Sequence, residues 1–395
     1  MPKRLINFGI IGCGLMGREF GSAAARWCHL LDSSGNSLDF VPRIIAVCDQ
    51  DPALMRWFQD NFSGIVLAAR DYRKLLSRPD IEAIYCAVPH NLHSQIYVDT
   101  IRAGKHLLGE KPFGIDKTAN AQITAAAAAS PKILVRCSSE FPFFPGALRI
   151  LETLGEDRFG TIIEVEAGFW HCSDLDPNKK INWKRLIEFN GAYGCMGDLG
   201  MHVVHIPFRM GWFPKNVRAL LAKVIRERPD STGKMVPCET WDNAVLACEV
   251  ETNGQCFPMF LSTKRIAPGE RDTWFLRVWG TRFSAEFSTK QPRTLRTLPY
   301  APGAPQAWRC EDLGYRSAYS AITGAIFEFG FSDAILQMWA AFCDELVHGS
   351  KQMLQPFTCV TPEETRQSHI LFTAAEESQR SESTVKLGAG VGAKP

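Results

Sequence analysis

The chain lacks any run of about 18 consecutive apolar residues, the length a membrane-spanning helix needs. It also lacks charge of one dominant sign. Its 44 Lys+Arg against 42 Asp+Glu leave a net charge of +2, which offers nucleic acid or an anionic membrane no global attraction. No C-x-x-C pair occurs among its 13 cysteines. Zinc clusters and disulfide frameworks use tighter, paired spacing, so these thiols read as small apolar residues of a reduced protein, and no metal site is expected. Internal repeats are absent. The opening "MPKRLINFGI" has no long apolar core and no small-residue cleavage site of a secretory signal, which predicts a cytoplasmic protein.

What is present is an alternation. With 395 residues the chain exceeds one hydrophobic core, so two domains are expected. Residues 5–11, 43–48, 64–68, 81–88, 105–109 and 132–137 read as apolar strands. Helical stretches at 15–28, 51–61, 92–103 and 116–129 separate them. Near-continuous apolar strands alternating with helices indicate a parallel sheet covered on both faces.

Between the first strand and first helix stands "GCGLMG". In such a unit the first glycine, Gly12, permits a tight turn. The second, Gly14, lets backbone approach a pyrophosphate. The third, Gly17, lets the helix pack against the strand. The N–H groups that open the helix, at Leu15 and Met16, then face phosphate. The second strand ends in Asp49, an acid suited to a ribose 2′-OH and repulsive to a 2′-phosphate, so NAD is expected rather than NADP. Asp51 precedes Pro52 and reads as the start of the next helix. Asp49 lies further from the glycines than usual because a polar stretch over 30–41 intervenes, read as a surface loop.

Beyond residue 139 the pattern changes. Runs at 161–170, 217–226, 244–251, 256–263, 274–279 and 283–287 alternate as half-buried strands of an antiparallel or mixed sheet. One face of so broad a sheet suggests a subunit interface. Helices are expected at 333–348 and 361–380, and a loop at 298–306.

Four segments, "GIIGCGLMG", "DYRKLLSRPDIEAIYCAVPHNLH", "AGKHLLGEKP" and "GAYGCMGDLGMHVVH", occur in an order that resembles the Gfo/Idh/MocA family of glucose–fructose oxidoreductases and inositol dehydrogenases. The resemblance implies a Rossmann dinucleotide-binding domain over 1–138. An α+β domain with a large open, mostly antiparallel sheet follows over 139–380, and a flexible tail over 381–395. It implies a homodimer or homotetramer. It places Glu110, Lys111 and Pro112 on the loop after the fifth strand, with Glu110, Pro89 and His93 at the cofactor and Lys111 toward both nicotinamide and substrate. His90 stands where the family often has Asn. Asp198 and His202 match the family's catalytic motif, whereas His205 replaces its terminal acid. Trp183 and Lys184 fall in a basic segment that also holds Lys179, Lys180 and Arg185. With Arg265 and Arg271, that segment suggests either a pocket for a pyranose bearing an anionic group or a solvated run of charge.

These residues support alcohol oxidation. His202 would take the hydroxyl proton, Lys111 would stabilise the developing alkoxide, and Asp198 would orient a neighbouring hydroxyl. The expected function is an NAD-dependent sugar oxidoreductase. The alternatives are an NAD-dependent glycosidase that works by oxidation, elimination, hydration and reduction on an acidic glycoside such as a sulfoquinovoside, and a non-catalytic dinucleotide-sensing regulator.

Overall fold

The computed structural model describes residues 3–388 except 315, 325 and 328. It folds as two compact units. The first comprises Met1–Gly114, Thr118–Phe143 and Tyr315–Pro362, and the second Ile115–Lys117, Phe144–Gly314 and Glu363–Pro395. Among the described residues no helix is long and apolar enough to cross a membrane.

The first unit holds a parallel sheet of β1 (Arg4–Ile11), β2 (Phe40–Cys48), β3 (Leu67–Ala69), β4 (Ala83–Cys86), β5 (His106–Gly109) and β6 (Val135–Cys137). The order is β3-β2-β1-β4-β5-β6, so the direction of winding reverses beside β1. In such a sheet ligands bind at the carboxyl ends of the strands flanking that reversal. Helices α1 (Leu15–Ala25), α2 (Pro52–Asn61), α3 (His93–Arg102) and α4 (Lys117–Ala129) connect the strands. Asp51 caps α2 by accepting from the Ala53 N–H at 2.9 Å, and Pro52 takes its first position, as the sequence predicts. The expected strand 81–88 is shorter because the chain turns away at Ala87, whose carbonyl lies directly beneath Gly12.

The second unit holds helices α5 (Pro145–Gly155) and α6 (Cys195–Arg209) and a nine-stranded sheet. Its strands are β7 (Ile162–Trp170), β8 (Pro214–Ala222), β9 (Asn243–Thr252), β10 (Gln255–Lys264), β11 (Thr273–Gly280), β12 (Phe283–Ser288), β13 (Thr294–Pro299), β14 (Arg309–Asp312) and β15 (Val385–Lys386). They run in the order β14-β13-β12-β11-β7-β10-β9-β8-β15. Only the β7–β10 pair is parallel, so the sheet is mixed and mostly antiparallel. Helix α6 is buried through almost its whole length.

The packing departs from expectation in three places. A single second domain over 139–380 does not describe the chain. Helix α7 (Phe331–His348) belongs to the first unit, where Trp339 packs against Phe8 and Phe20 at ring separations of 5.1 and 4.0 Å. Helix α8 (Pro362–Ser381) then returns to the second unit, where Ser378 receives the Ala219 N–H. The 30–41 stretch is more than a surface loop. Leu30–Leu31 pairs with Ser320–Ala321, and Leu38 and Phe40 are buried. It is the edge on which the returning segment docks. In the expected tail, Val385–Lys386 pairs with β8, which orders that part of it. Residues 389–395 lie outside the described residues.

Candidate active-site residues in the two units

In the first unit the three glycines differ in what surrounds them. Gly12 has φ +93°, and a Cβ there would meet the Ala87 oxygen at 2.2 Å. A Cβ on Gly17 would meet the Gly12 oxygen at 2.2 Å. One glycine is required by the turn, the other by the close approach of α1 to β1. Gly14 has no neighbour within 4 Å of its missing Cβ. It caps α1 without a side-chain partner, and Leu15, the first helical residue, is exposed. Open space at the amino end of a helix, where N–H groups and the helix dipole converge, fits a diphosphate. Asp49 lies beside this cradle. Its Oδ2 accepts from the Cys13 N–H at 2.7 Å, and its Oδ1 from the Asp51 N–H at 2.9 Å. The acid therefore braces the glycine turn, a task that the sequence did not suggest.

The loop after β5 is anchored from several sides. Glu110 is buried, and its Oε1 accepts from the Tyr85 hydroxyl at 2.8 Å and the Ser138 hydroxyl at 2.6 Å. Its carbonyl accepts from the Tyr97 hydroxyl at 2.9 Å. Burial, with the Glu110 charge adding to it, pushes the Tyr85 phenol well above its ordinary range, so that hydroxyl stays a donor. Glu110 thus acts as the anchor of the segment that carries Lys111, rather than as a side chain turned outward. Lys111 is half-buried, and its peptide bond to Pro112 is cis. His93 is fully buried and also structural in its bonds: Nε2–H donates to the Val88 oxygen at 3.0 Å, and Nδ1 accepts from the Gly114 N–H at 3.4 Å. It joins the end of β4, where Pro89 sits half-buried and His90 buried, to the loop after Lys111.

In the second unit, Gly194 starts α6 at φ +57°, where a Cβ would meet the Trp241 nitrogen at 2.6 Å. The helix that follows carries Asp198 and His202 one turn apart, hence on one face. Both are buried. The His202 ring lies edge-on to Phe169, with centroids 5.6 Å apart, and its carbonyl accepts from the Trp274 indole N–H at 2.9 Å. His205, on the same helix, is fully buried and meets Arg209 at 3.1 Å.

Strands β7 and β10 run side by side in one direction, so their carboxyl ends release His171 and Arg265 together. No motif in the sequence marks His171. Its Nδ1 accepts from the Ser173 N–H at 3.3 Å, which fixes the ring proton of the neutral form on Nε2. Burial, helped by the Arg265 charge, lowers its pKa to about 4, so the ring is neutral near pH 7 and its Nε2–H is a donor.

The basic segment does not remain uncompensated. Lys184 contacts both Asp198 oxygens, at 2.8 and 3.1 Å, and Lys179 contacts Asp174 at 2.9 Å. Arg185 is fully buried and ion-paired with Asp242. Arg265 is buried between Asp174 and Asp198. Lys180 and Arg271 are exposed, and Trp183 is half-buried with the Lys184 ammonium 5.6 Å from its ring centroid. Sequence proximity shows the cations but not the aspartates, some of them up to 91 positions away, that neutralise them. No cluster able to hold a metal occurs among the described residues.

Residues 6–137 match the oxidoreductase family with the NAD-binding Rossmann fold, Gfo/Idh/MocA. Over 230 residues the chain is 26% identical to levoglucosan dehydrogenase of Pseudarthrobacter phenanthrenivorans, an alignment covering 58% of this chain and 57% of that protein. In sequence the match thus spans a little over half the length of that relative. In fold, levoglucosan dehydrogenase in complex with NADH and levoglucosan superposes with a TM-score of 0.83 at 21% identity, covering 98% of this chain and 100% of that one. An inositol dehydrogenase homologue from Azotobacter vinelandii, complexed with NAD+, gives 0.77 at 19% identity over 98% and 99%. Residues 6–137 thus carry the NAD-binding Rossmann fold of the Gfo/Idh/MocA oxidoreductase family.

Proposed function

We propose that the protein is an NAD-dependent dehydrogenase that oxidises a ring hydroxyl of an uncharged sugar, or runs the reverse reduction. The observation that carries this reading is the face of α6. It presents a carboxylate and an imidazole one turn apart, in a unit where the ends of β7 and β10 add a neutral histidine and an arginine paired with two aspartates. Such a set makes hydrogen bonds to hydroxyls and moves one proton, and its buried or half-buried cations Lys184, Arg185 and Arg265 are each paired with an aspartate. One relative is named for the dehydrogenation of levoglucosan, an uncharged sugar derivative.

His202 is the general base in this assignment and accepts the hydroxyl proton on an imidazole nitrogen. Asp198, held by cations, is an acceptor for a neighbouring hydroxyl and orients the ring. The His171 Nε2–H donates to another ring oxygen. Lys111, on the loop that Glu110 anchors, is assigned to stabilising the negative charge that develops during hydride transfer. The cradle at Gly12, Gly14, Leu15, Met16 and Gly17 takes the dinucleotide phosphates, and Asp49 the ribose, which favours NAD over NADP. NAD, when bound, supplies the hydride acceptor. We further assign subunit pairing to the sheet face on which Leu220, Val245 and Phe260 are exposed.

A panel of neutral sugars, acidic sugars and aryl glycosides, incubated with protein and NAD, tests the reading. NADH formed in step with a neutral sugar supports it. Aglycone released without net NADH indicates glycosidase action, and tight NAD binding with neither product indicates a sensor.

A further inference from the structure

A buried carboxylate that receives a hydrogen bond from substrate has to remain ionised and keep one rotamer. Helix α6 fixes the Cα of Asp198 but leaves its carboxylate to be oriented by neighbours. Lys184 is one neighbour, but its side chain is 33% exposed and its ammonium sits on a flexible stem. Arg265 is different. Its N–H donates to the Asp242 carbonyl at 2.9 Å, and its own carbonyl accepts from the Asp174 N–H at 3.3 Å. Its side chain, 4% exposed, donates through Nη1 to Asp198 Oδ2. Through Nε at 3.0 Å and Nη2 at 2.8 Å it reaches Asp174 Oδ2. One planar guanidinium therefore bridges two buried carboxylates, which a single ammonium cannot do with comparable geometry.

Asp174 is fixed in turn. Lys179 donates to its Oδ1 at 2.9 Å, Arg185 lies 3.8 Å from its Oδ2, and its carbonyl accepts from Arg228. Arg185 continues to Asp242, which accepts from the N–H groups of Val224 at 2.6 Å and Ile225 at 2.9 Å. Burial disfavours the charge on Asp174, but Arg265 and Lys179 outweigh it and hold its carboxyl below the ordinary range. Burial likewise opposes the charge on Arg265, and Asp198 and Asp174 overcome it. A buried ion pair that served folding alone would be complete with Arg265 on Asp174. The remaining arm of the fork instead extends to the carboxylate assigned to the substrate.

We infer that Arg265 is the positioning residue of Asp198, and that Asp174 positions Arg265, neither of them touching the substrate. The inference rests on the reading of Asp198 as the acceptor for a sugar hydroxyl.

Arg265→Lys keeps the charge and loses the fork; Asp174→Asn keeps the shape and loses the charge. For each variant the measurements are sugar kcat and KM, NADH affinity, melting temperature and a crystal structure. Arg265→Lys is expected to lower kcat/KM for the sugar about 100-fold, the scale of a misplaced contact, with NADH affinity unchanged. Asp198 should occupy more than one rotamer. Asp174→Asn should act in the same direction, and the double variant should be no worse than Arg265→Lys alone, because the two residues act in series. An Arg265→Lys protein with Asp198 in its original rotamer and kcat/KM at the wild-type level would overturn the inference, as would a loss confined to melting temperature. If Arg265→Lys does not fold, Asp174→Asn provides the same readouts. If the wild-type protein oxidises no sugar, the proposed function fails, and the rotamer of Asp198 in the variants still decides the part played by Arg265.

Discussion

Adding one methyl group at Gly14 or at Gly17 separates the nucleotide cradle from the packing of its helix. Nothing lies within 4 Å of the Cβ that Gly14→Ala would add, and its φ of −68° suits alanine. Alanine is a poorer N-cap than glycine by about 1 kcal/mol, while the stiffer unfolded chain returns about 0.4–1 kcal/mol. The two effects nearly cancel, so the melting temperature should move by less than about 2 °C. The methyl does occupy the space assigned to the diphosphate. Losing one hydrogen bond to a charged oxygen costs about 1.5–3 kcal/mol, or roughly 10- to 100-fold in affinity. Gly17→Ala is the opposite case. Its Cβ would stand 2.2 Å from the Gly12 oxygen, so α1 has to retreat by about 1 Å, and overpacking of that kind costs about 1–3 kcal/mol. Titrating each variant with NADH by fluorescence, alongside thermal unfolding, reads both quantities. Gly14→Ala with wild-type NADH affinity would refute the cradle, whatever its stability.

Three further outcomes are expected. Lys111→Ala should lose turnover severely, by about 100-fold or more for removal of a group that stabilises the developing charge, with NAD affinity nearly intact; undiminished turnover removes Lys111 from the reaction. Asp49→Ala should narrow the preference for NAD over NADP in paired kinetic assays, and a native protein that already prefers NADP contradicts the role of Asp49. The third concerns pH. The His348 Nδ1 lies 2.6 Å from Asp344 and its Nε2 3.2 Å from Asp39, and although burial works against its charge, these two acids raise its pKa. A raised histidine pKa stabilises the fold fully below the unfolded value of about 6.5 and loses that contribution as pH rises through the folded value. Hydrogen exchange in the 30–41 segment should therefore quicken beyond its intrinsic pH dependence on going from pH 6 to pH 8, and His348→Gln should abolish the excess.

The Rossmann half is legible in sequence because each strand is a compact apolar run and each turn has its own chemistry. Gly12, Asp51 and Pro52 announce their positions locally. Where sequence reading falls short, the missing information is tertiary. Helix α7 shows an apolar pattern, but nothing in residues 331–348 says that its partners are Phe8 and Phe20. The 30–41 stretch looks polar, yet Leu38 and Phe40 are core residues of the first unit. Lys179, Lys184 and Arg265 look like an anion pocket until Asp174 and Asp198 are seen against them. His171 sits in a polar segment without periodicity, and only the parallel pairing of β7 with β10 shows that it and Arg265 leave the sheet together.

The most direct test of the account is a crystal structure with NADH. The account predicts the diphosphate within hydrogen-bond distance of the N–H groups at the start of α1, beside Gly14, with Asp49 on the adenosine ribose. A dinucleotide bound elsewhere, or a diphosphate held by side chains away from that helix start, would contradict it.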